Sequence, residues 1–308
     1  MKFPLEGTVH LLDIGARYGL QEPWQRWHEQ ITPVLVEPEE AEYRRLKARY
    51  EHVFNVALAD AEGTRPLYIA EGAGKSSLYR PNMAFLGQFP KPERFRTVAT
   101  QDVVTTTLDT LYARGELPRI DAVKVDVQGA ELDILRGGQR LLSDQLLALQ
   151  VEICFDELYE GYPHFCAVDG FVRGLGLHLH DLSKRHWRYA RGADLDAKGR
   201  LIFGDALYFA SLERILSLPE PEDSVLRAAF IAMIYGFADY SMHLLEASEL
   251  QSGAITAARD YLQRHCRRRL AIPSRAMRRA LKALAAFFPP VSEDGSVGAK
   301  RLFGRFYW

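Results

Sequence analysis

Short apolar runs alternate with polar stretches of helical spacing through the first half of the chain, and this alternation limits the fold more than any other feature. VHLLDI (9–14), PVLVE (33–37), HVFNVAL (52–58), IDAVKVDV (120–127) and LLALQVEICF (146–155) are apolar at most positions. A strand without a polar face must be covered on both sides. WQRWHEQ (24–30), EEAEYRRLKARY (39–50) and GAELDILRGGQRLL (129–142) read as the helices that cover them. The pattern predicts a mostly parallel sheet with helices on both faces. LGLHLHDL (175–182) and RLIFGDALYFAS (200–211) read as late strands, with the turn-rich RGADLDAKGR (191–200) suited to a hairpin. An inserted stretch, 61–108, holds shorter β-like pieces, RPLYIA and FRTVATQDVVTTT.

After Ser211 the character changes. LPEPEDS (218–224) places prolines before acids suited to a first helical turn, and the sequence then reads as two or three helices to about residue 285. The expected division is 1–211, an α/β domain, and 212–308, a helical C-terminal extension. With 308 residues, 47% of them hydrophobic, the chain is long enough for one or two domains with a substantial core.

Formal net charge is −1, so no global field draws in nucleic acid, and none is expected as a partner. The charge is uneven: residues 212–308 carry 14 Lys+Arg against 10 Asp+Glu, and residues 1–211 carry 25 against 30. Cys154, Cys166 and Cys266 are too few and too scattered for a disulfide framework or a CxxC metal site, which fits a reducing compartment. MKFPLEGTVH has no apolar signal-peptide core. AAFIAMIYGFA (228–238) falls short of the roughly 20 residues that span a bilayer. The expectations are a buried helix there and a cytoplasmic location.

The strand ends carry the chemistry. In LLDIGARYG (11–19) an acid, Asp13, sits at the carboxyl edge of the first strand, and Gly15 and Gly19 follow. Ligands of open α/β sheets bind at that edge. A dinucleotide site would need GxGxxG, but here the middle glycine is missing, and Asp13 would repel a pyrophosphate. S-adenosylmethionine removes the objection, because it carries a sulfonium and an ammonium group and no phosphate. Asp13 is placed to assist its amino group, directly or through water, while Gly15 makes room. Glu37, in VLVEPEE, ends the second strand and suits two ribose hydroxyls. NVALAD (55–60) ends the third, where Asn55 or Ala57 would line an adenine pocket. Asp126, in DAVKVDVQGAELDILRGG (121–138), ends the fourth and faces the expected methyl donor.

Together, DIGARYG, VEPEE, NVALAD, SSLY (76–79), TTLDTL (106–111), VKVDVQGAELDILRGG and LQVEICF resemble the FkbM-type S-adenosylmethionine-dependent methyltransferases over residues 9–211. The resemblance implies a class I methyltransferase (Rossmann-like) fold with a mostly parallel seven-stranded sheet, here with a C-terminal α-helical appendage. It also implies O-methylation of hydroxyl groups on sugars or secondary metabolites. Carried over by position, Asp13, Gly15, Glu37 and Asp126 surround the cofactor, and the flanking Ala16, Arg17, Gly19, Pro38, Asn55 and Ala57 complete the expected site. Arg17 departs from the family, which commonly has Asn there. The alternatives are a non-catalytic methyltransferase-like module that binds through its helical tail, or an N- or C-methyltransferase.

GAGKSS (72–77) imitates a phosphate loop, but GxxxxGK[ST] would need glycine at Ile69, and LYRPN follows in place of a helix. The SSL within it reads better as a lid segment. For the base that takes an acceptor proton, Asp126, Glu152, Asp156, Glu157, His164, His178 and His180 are candidates. Asp126, Glu152 and His178 are carried forward as the catalytic set. Asp126, Glu152 and Asp156 could instead hold a divalent cation, although no metal is expected. FDELYEGYPHF (155–165) reads either as a sugar-stacking wall or as core. RHCRRRLAIPSRAMRRALK (264–282) holds eight Lys/Arg and no acid. Such a segment can lie on an anionic membrane surface or hold a polyanion; docking as a solvated face on the acidic first domain is the preferred reading. The aromatic ending RLFGRFYW suits burial against the protein or against a second copy, so the C-terminal helices are a candidate homo-oligomer surface.

Overall fold

The computed structural model describes residues 2–266. Its strands are β1 (Val9–Ile14), β2 (Ile31–Val36), β3 (His52–Phe54), β4 (Ala57–Leu58), β5 (Gly63–Ala70), β6 (Thr97–Thr106), β7 (Ala122–Val125), β8 (Ala148–Cys154), β9 (Leu177–Leu182), β10 (Arg185–Trp187) and β11 (Arg200–Ala210). The helices are α1 (Glu40–Lys47), α2 (Met83–Leu86), α3 (Leu108–Ala113), α4 (Glu131–Gly137), α5 (Gln139–Gln145), α6 (Phe165–Gly174), α7 (Leu212–Ser217), α8 (Pro221–Ile234), α9 (Ala238–Ala247) and α10 (Gly253–His265).

The main sheet has eight strands where seven were expected: it runs β3-β2-β1-β7-β8-β11, and the long β11 pairs at its far side with β10 over one half and β9 over the other. Strands β3, β2, β1, β7 and β8 are parallel; β11 is antiparallel to β8 and β9. This is the order of class I methyltransferases, with one reversed strand near the far edge. Chain direction reverses its walk across the sheet at β1, so the ligand crevice opens beyond the carboxyl ends of β1, β2 and β7.

Three local expectations changed. HVFNVAL divides: β3 joins the main sheet, while β4 pairs with β6 in a separate three-stranded sheet. Asn55 at the break donates to the Glu37 and Pro38 carbonyls. The helix expected over 129–142 becomes α4 and α5, because Gly137 and Gly138 press against the Ala59 carbonyl and Leu108, where a side chain would not fit. Residues 24–30 wind as a 3-10 helix. The winding is interrupted at Trp27, whose backbone leaves helical values, and Trp24 and Trp27 lie edge-on against Tyr235 and Phe230.

The boundary at 211/212 is a change of secondary structure and not a break in packing. Val225, Phe230, Leu244, Ile255 and Leu262 belong to the same buried cluster as the strands. An ionic network fastens α8 to the amino end of the sheet. Asp121, 0% exposed, meets Arg227 at 3.0 Å and Arg119 at 2.9 Å, and accepts from the His10 backbone at 2.9 Å. Among the described residues no helix is long and apolar enough to cross a membrane. All three cysteines are free thiols. Residues 267–282 of the basic segment and the RLFGRFYW ending lie outside the described residues.

Candidate active site

Register places the polar groups before any side chain is considered. Asp13 is opposite Lys124 on β7, and Lys124 is opposite Gln150 on β8. Side chains two residues apart on a strand share a face, so Asp126 and Glu152 extend this row towards the carboxyl edge. The chain that a soluble α/β protein normally fills with apolar side chains is here a polar stripe, roofed by Tyr235 at the end of α8. The Tyr235 hydroxyl donates to Gln150 and accepts from the Trp24 indole N–H, both at 3.0 Å.

On the β1–β2 side, Asp13 is 2% exposed and forms a 2.8 Å ion pair with Lys124. Burial lowers the affinity of Lys124 for its proton, but the charges of Asp13 and Asp126 more than offset it and hold its pKa above the usual lysine value. Burial raises the pKa of Asp13 in turn, against the pull of Lys124, so the two groups share their charge within the protein. Gly15 has φ +84°, and a side chain there would strike the Asp126 carbonyl. The space it leaves is taken by the protein's own backbone, which ties β1 to the β7 loop. Gly15 and Ala16 N–H groups both donate to the Val36 carbonyl. Gly19, also at positive φ, lies against the Tyr50 ring. Arg17 turns away to α1, pairing with Glu39 at 2.8 Å and Glu42 at 3.9 Å.

Glu37 ends β2 and is buried, with Oε1 accepting from the Glu39 N–H at 2.9 Å. Burial raises its pKa. Beside it a cavity of about 420 Å³ is lined by Pro38, Asn55, Val56 and Ala57 and, opposite, by residues 101–106 of β6. A buried carboxylate next to a cavity of this kind suits a ligand that brings hydroxyl donors and a flat apolar portion.

On the β7–β8 side three carboxylates converge. Glu131, at the start of α4, accepts from the N–H groups of Val127 and Gly129 and so folds the loop after β7. The Gln128 amide donates to Asp126 at 3.1 Å and to Glu152 at 3.0 Å, from a residue at φ +61°. Burial pushes Glu131 up to about 7, against the pull of its backbone donors. Burial, then the charges of Asp126 and Glu131, hold Glu152 well above the usual carboxylate range. The segment 72–79 crosses above. Lys75 donates to Gln128 at 2.9 Å, Ser77 to the Gln128 carbonyl at 2.6 Å and Tyr79 to Asp133 at 2.8 Å.

The structure brings Asp126 and Glu152 together and leaves His178 out. His178 is in register with Phe209, which is in register with Ala148, the first residue of β8. It is therefore at the amino end of the sheet, four residues below Glu152 and two strands away. His180 is also excluded, packed against Phe209 and Tyr240. Asp156 pairs with Arg200, and Glu157 accepts from the Gly161 N–H. The cation trio of Asp126, Glu152 and Asp156 is not assembled, and no group of three metal-ligating side chains is found among the described residues. Tyr159 and Tyr162 are buried in a second apolar cluster, so FDELYEGYPHF is core and not an open stacking wall. Sequence reading singled out none of Gln128, Glu131 and Lys124, whose residue types are ordinary for a loop, a first helical turn and a strand edge, and it met Lys75 only inside a rejected phosphate loop.

The strand order is that of the class I methyltransferase fold. A family model, the methyltransferase FkbM domain, matches residues 13–179, more than half of the chain, and the protein belongs to that family. Among solved structures, an FkbM methyltransferase from Methylobacillus flagellatus KT is similar at 13% identity and a TM-score of 0.35, over 66% of this chain and 43% of that one. This chain thus spans less than half the length of that relative. Magnesium protoporphyrin IX methyltransferase from Synechocystis PCC 6803, solved with bound S-adenosylmethionine, is similar at 7% identity and a TM-score of 0.33, over 67% and 71% of the two chains. No curated protein matches the sequence.

Proposed function

We propose that the protein is an S-adenosylmethionine-dependent O-methyltransferase whose acceptor is a hydroxyl of a sugar, glycan or secondary metabolite. Support for the cofactor comes from the family and from the fit of the β1–β2 side. Glu37 would accept the ribose hydroxyls, Pro38, Asn55 and Ala57 would flank the base, and Gly15, Ala16 and the neutralised Asp13–Lys124 pair would border the methionyl end. When bound, S-adenosylmethionine supplies a methyl group activated by its sulfonium.

The chain's own part is positioning and proton removal. An aliphatic hydroxyl is a poor nucleophile while it keeps its proton. Glu152 is enclosed at the carboxyl edge with an elevated pKa, which makes its ionised form a stronger base than an exposed carboxylate. Asp126 stands between the two sides and would orient the acceptor. The observation that carries the O-methyl reading is the Glu152 carboxylate two strands from Asp13 on one face of the sheet.

The test is incubation with methyl-labelled S-adenosylmethionine and a panel of hydroxylated glycans and metabolites, with the product resolved by mass spectrometry and NMR. A labelled methyl ether is expected, and its formation should be lost in Glu152→Gln. Label on nitrogen or carbon, or cofactor binding without transfer to any acceptor, would overturn the reading.

A further inference from the structure

Lys75 lies on the segment 72–79, between β5 and α2, and no step above requires it. It is half-buried, with its ammonium 5.5 Å from the centre of the Phe95 ring and 2.9 Å from Gln128 Oε1. The Tyr159 hydroxyl reaches the same oxygen at 3.4 Å. With Oε1 occupied by these donors, the amide nitrogen of Gln128 can only face the other way, onto Asp126 and Glu152. A free glutamine could flip its amide and lose both bonds. The Lys75 ammonium forbids the flip, because it would then meet the amide NH2.

The loop beneath is held with equal care. Gln128 adopts a left-handed backbone, which is unfavourable for a non-glycine residue and persists only where surroundings enforce it. Ser77 above and Glu131 below supply those surroundings. Lys75 is also a cation that opposes the carboxylates gathered at Glu152: Asp126 from the β7 loop, Glu131 from α4 and Asp205 from β11, with Cys154, Tyr159 and Tyr162 further ionisable neighbours and the Lys124 ammonium of β7 paired to Asp13.

We propose that Lys75 is a positioning residue for methyl transfer: it locks the Gln128 amide across Asp126 and Glu152, and thereby fixes the carboxylate that takes the acceptor proton. This rests on the methyltransferase reading given above. The lid segment is then more than a cover. It holds a positive charge beside Glu152, opposing the like charges there.

The experiment uses full-length protein with carboxyl-labelled glutamate and follows the Glu152 ¹³C resonance with pH, assigned by its loss in Glu152→Gln. In Lys75→Met the Glu152 midpoint should rise by about one pH unit or more, the size of effect an adjacent opposite charge has. Lys75→Arg should bring it back towards the wild-type value. S-adenosylhomocysteine affinity, measured by calorimetry on the same samples, should stay within about twofold, since the ammonium of Lys75 contacts Gln128 and Phe95 and not the β1–β2 side. An unchanged midpoint in Lys75→Met overturns the proposal, as does a failure of arginine to restore it. If wild type binds no S-adenosylhomocysteine, the methyltransferase reading fails and takes the catalytic role of Lys75 with it, while the measured Lys75–Glu152 linkage stands separately.

Discussion

At the amino end of the main sheet Asp121 is surrounded by Arg119, Arg227 and His10; at the carboxyl end Glu152 is surrounded by Asp126, Glu131 and Asp205, with Lys75 opposing them. Both carboxylates have been taken largely out of water. Desolvation alone would raise the pKa of each. At Asp121 the nearby His10 imidazole and backbone N–H and the two guanidinium charges reverse that tendency, and its pKa falls below the usual value. At Glu152 the neighbouring charges add to it. Neighbours decide whether the effect of burial is reversed or reinforced: the first acid is held ionised as an anchor for α8, and the second is held towards its protonated form.

The comparison breaks most visibly at the anchor. Asp121→Ala strands Arg227 and Arg119 without their buried partner and should cost about 3–5 kcal/mol in urea unfolding at pH 7. A loss below about 1 kcal/mol would mean that the network does not fasten the helices. The depressed pKa of Asp121 also fixes a sign. Its contribution is complete above the ordinary aspartate value and fades as pH falls through the lower native value, so this part of the stability is lost only in acid, below about pH 4.

Glu152→Gln tests the other end. The methyl-transfer rate should fall by about 10²–10⁴-fold. In wild type the rate should rise with pH through the Glu152 titration, because the base must be ionised. Stability should move the opposite way. A carboxyl whose native pKa is raised contributes fully below its unfolded value and loses that contribution as pH rises through the native value. Glutamine does not titrate, so the variant should be the more stable protein in alkali, by about 1–3 kcal/mol. A variant that is less active and also less stable at high pH would mark Glu152 as an ordinary structural residue.

Two smaller effects sharpen the boundary of the site. His178→Ala should leave the rate within about twofold, since register sets it at the far end of the sheet; a large loss would require a different acceptor path. Arg17→Ala should cost about 0–1 kcal/mol, the range for exposed ion pairs such as those it forms with Glu39 and Glu42. It should also leave cofactor affinity within a few-fold, both readable by thermal melting and calorimetry.

What could be read from sequence divides along the same physical line. Continuous apolar strands have one sensible environment, so β1, β2, β7 and β8 were legible nearly to their ends, and the acids at those ends were legible with them. Partners were not. Lys124 and Asp13 are 111 positions apart, and only the β1–β7 register makes them a pair. Gln128 and Lys75 are 53 apart and meet through an inserted segment whose path no periodicity encodes. Two histidines spaced for one strand face gave a plausible base, but spacing carries no information about which end of the sheet that strand would present. The helices after Ser211 were legible as helices. That they complete the main core depends on Arg227 and Phe230 finding partners more than 100 residues earlier.

The central claim is that a phosphate-free nucleoside lies beyond β1 and β2 with its ribose on Glu37, and calorimetric titration with S-adenosylhomocysteine measures it directly. Wild type should bind, and Glu37→Ala should weaken binding by about 10–100-fold, the loss expected for hydrogen bonds to a carboxylate. No heat with the wild type, or equal affinity in the two proteins, would contradict it.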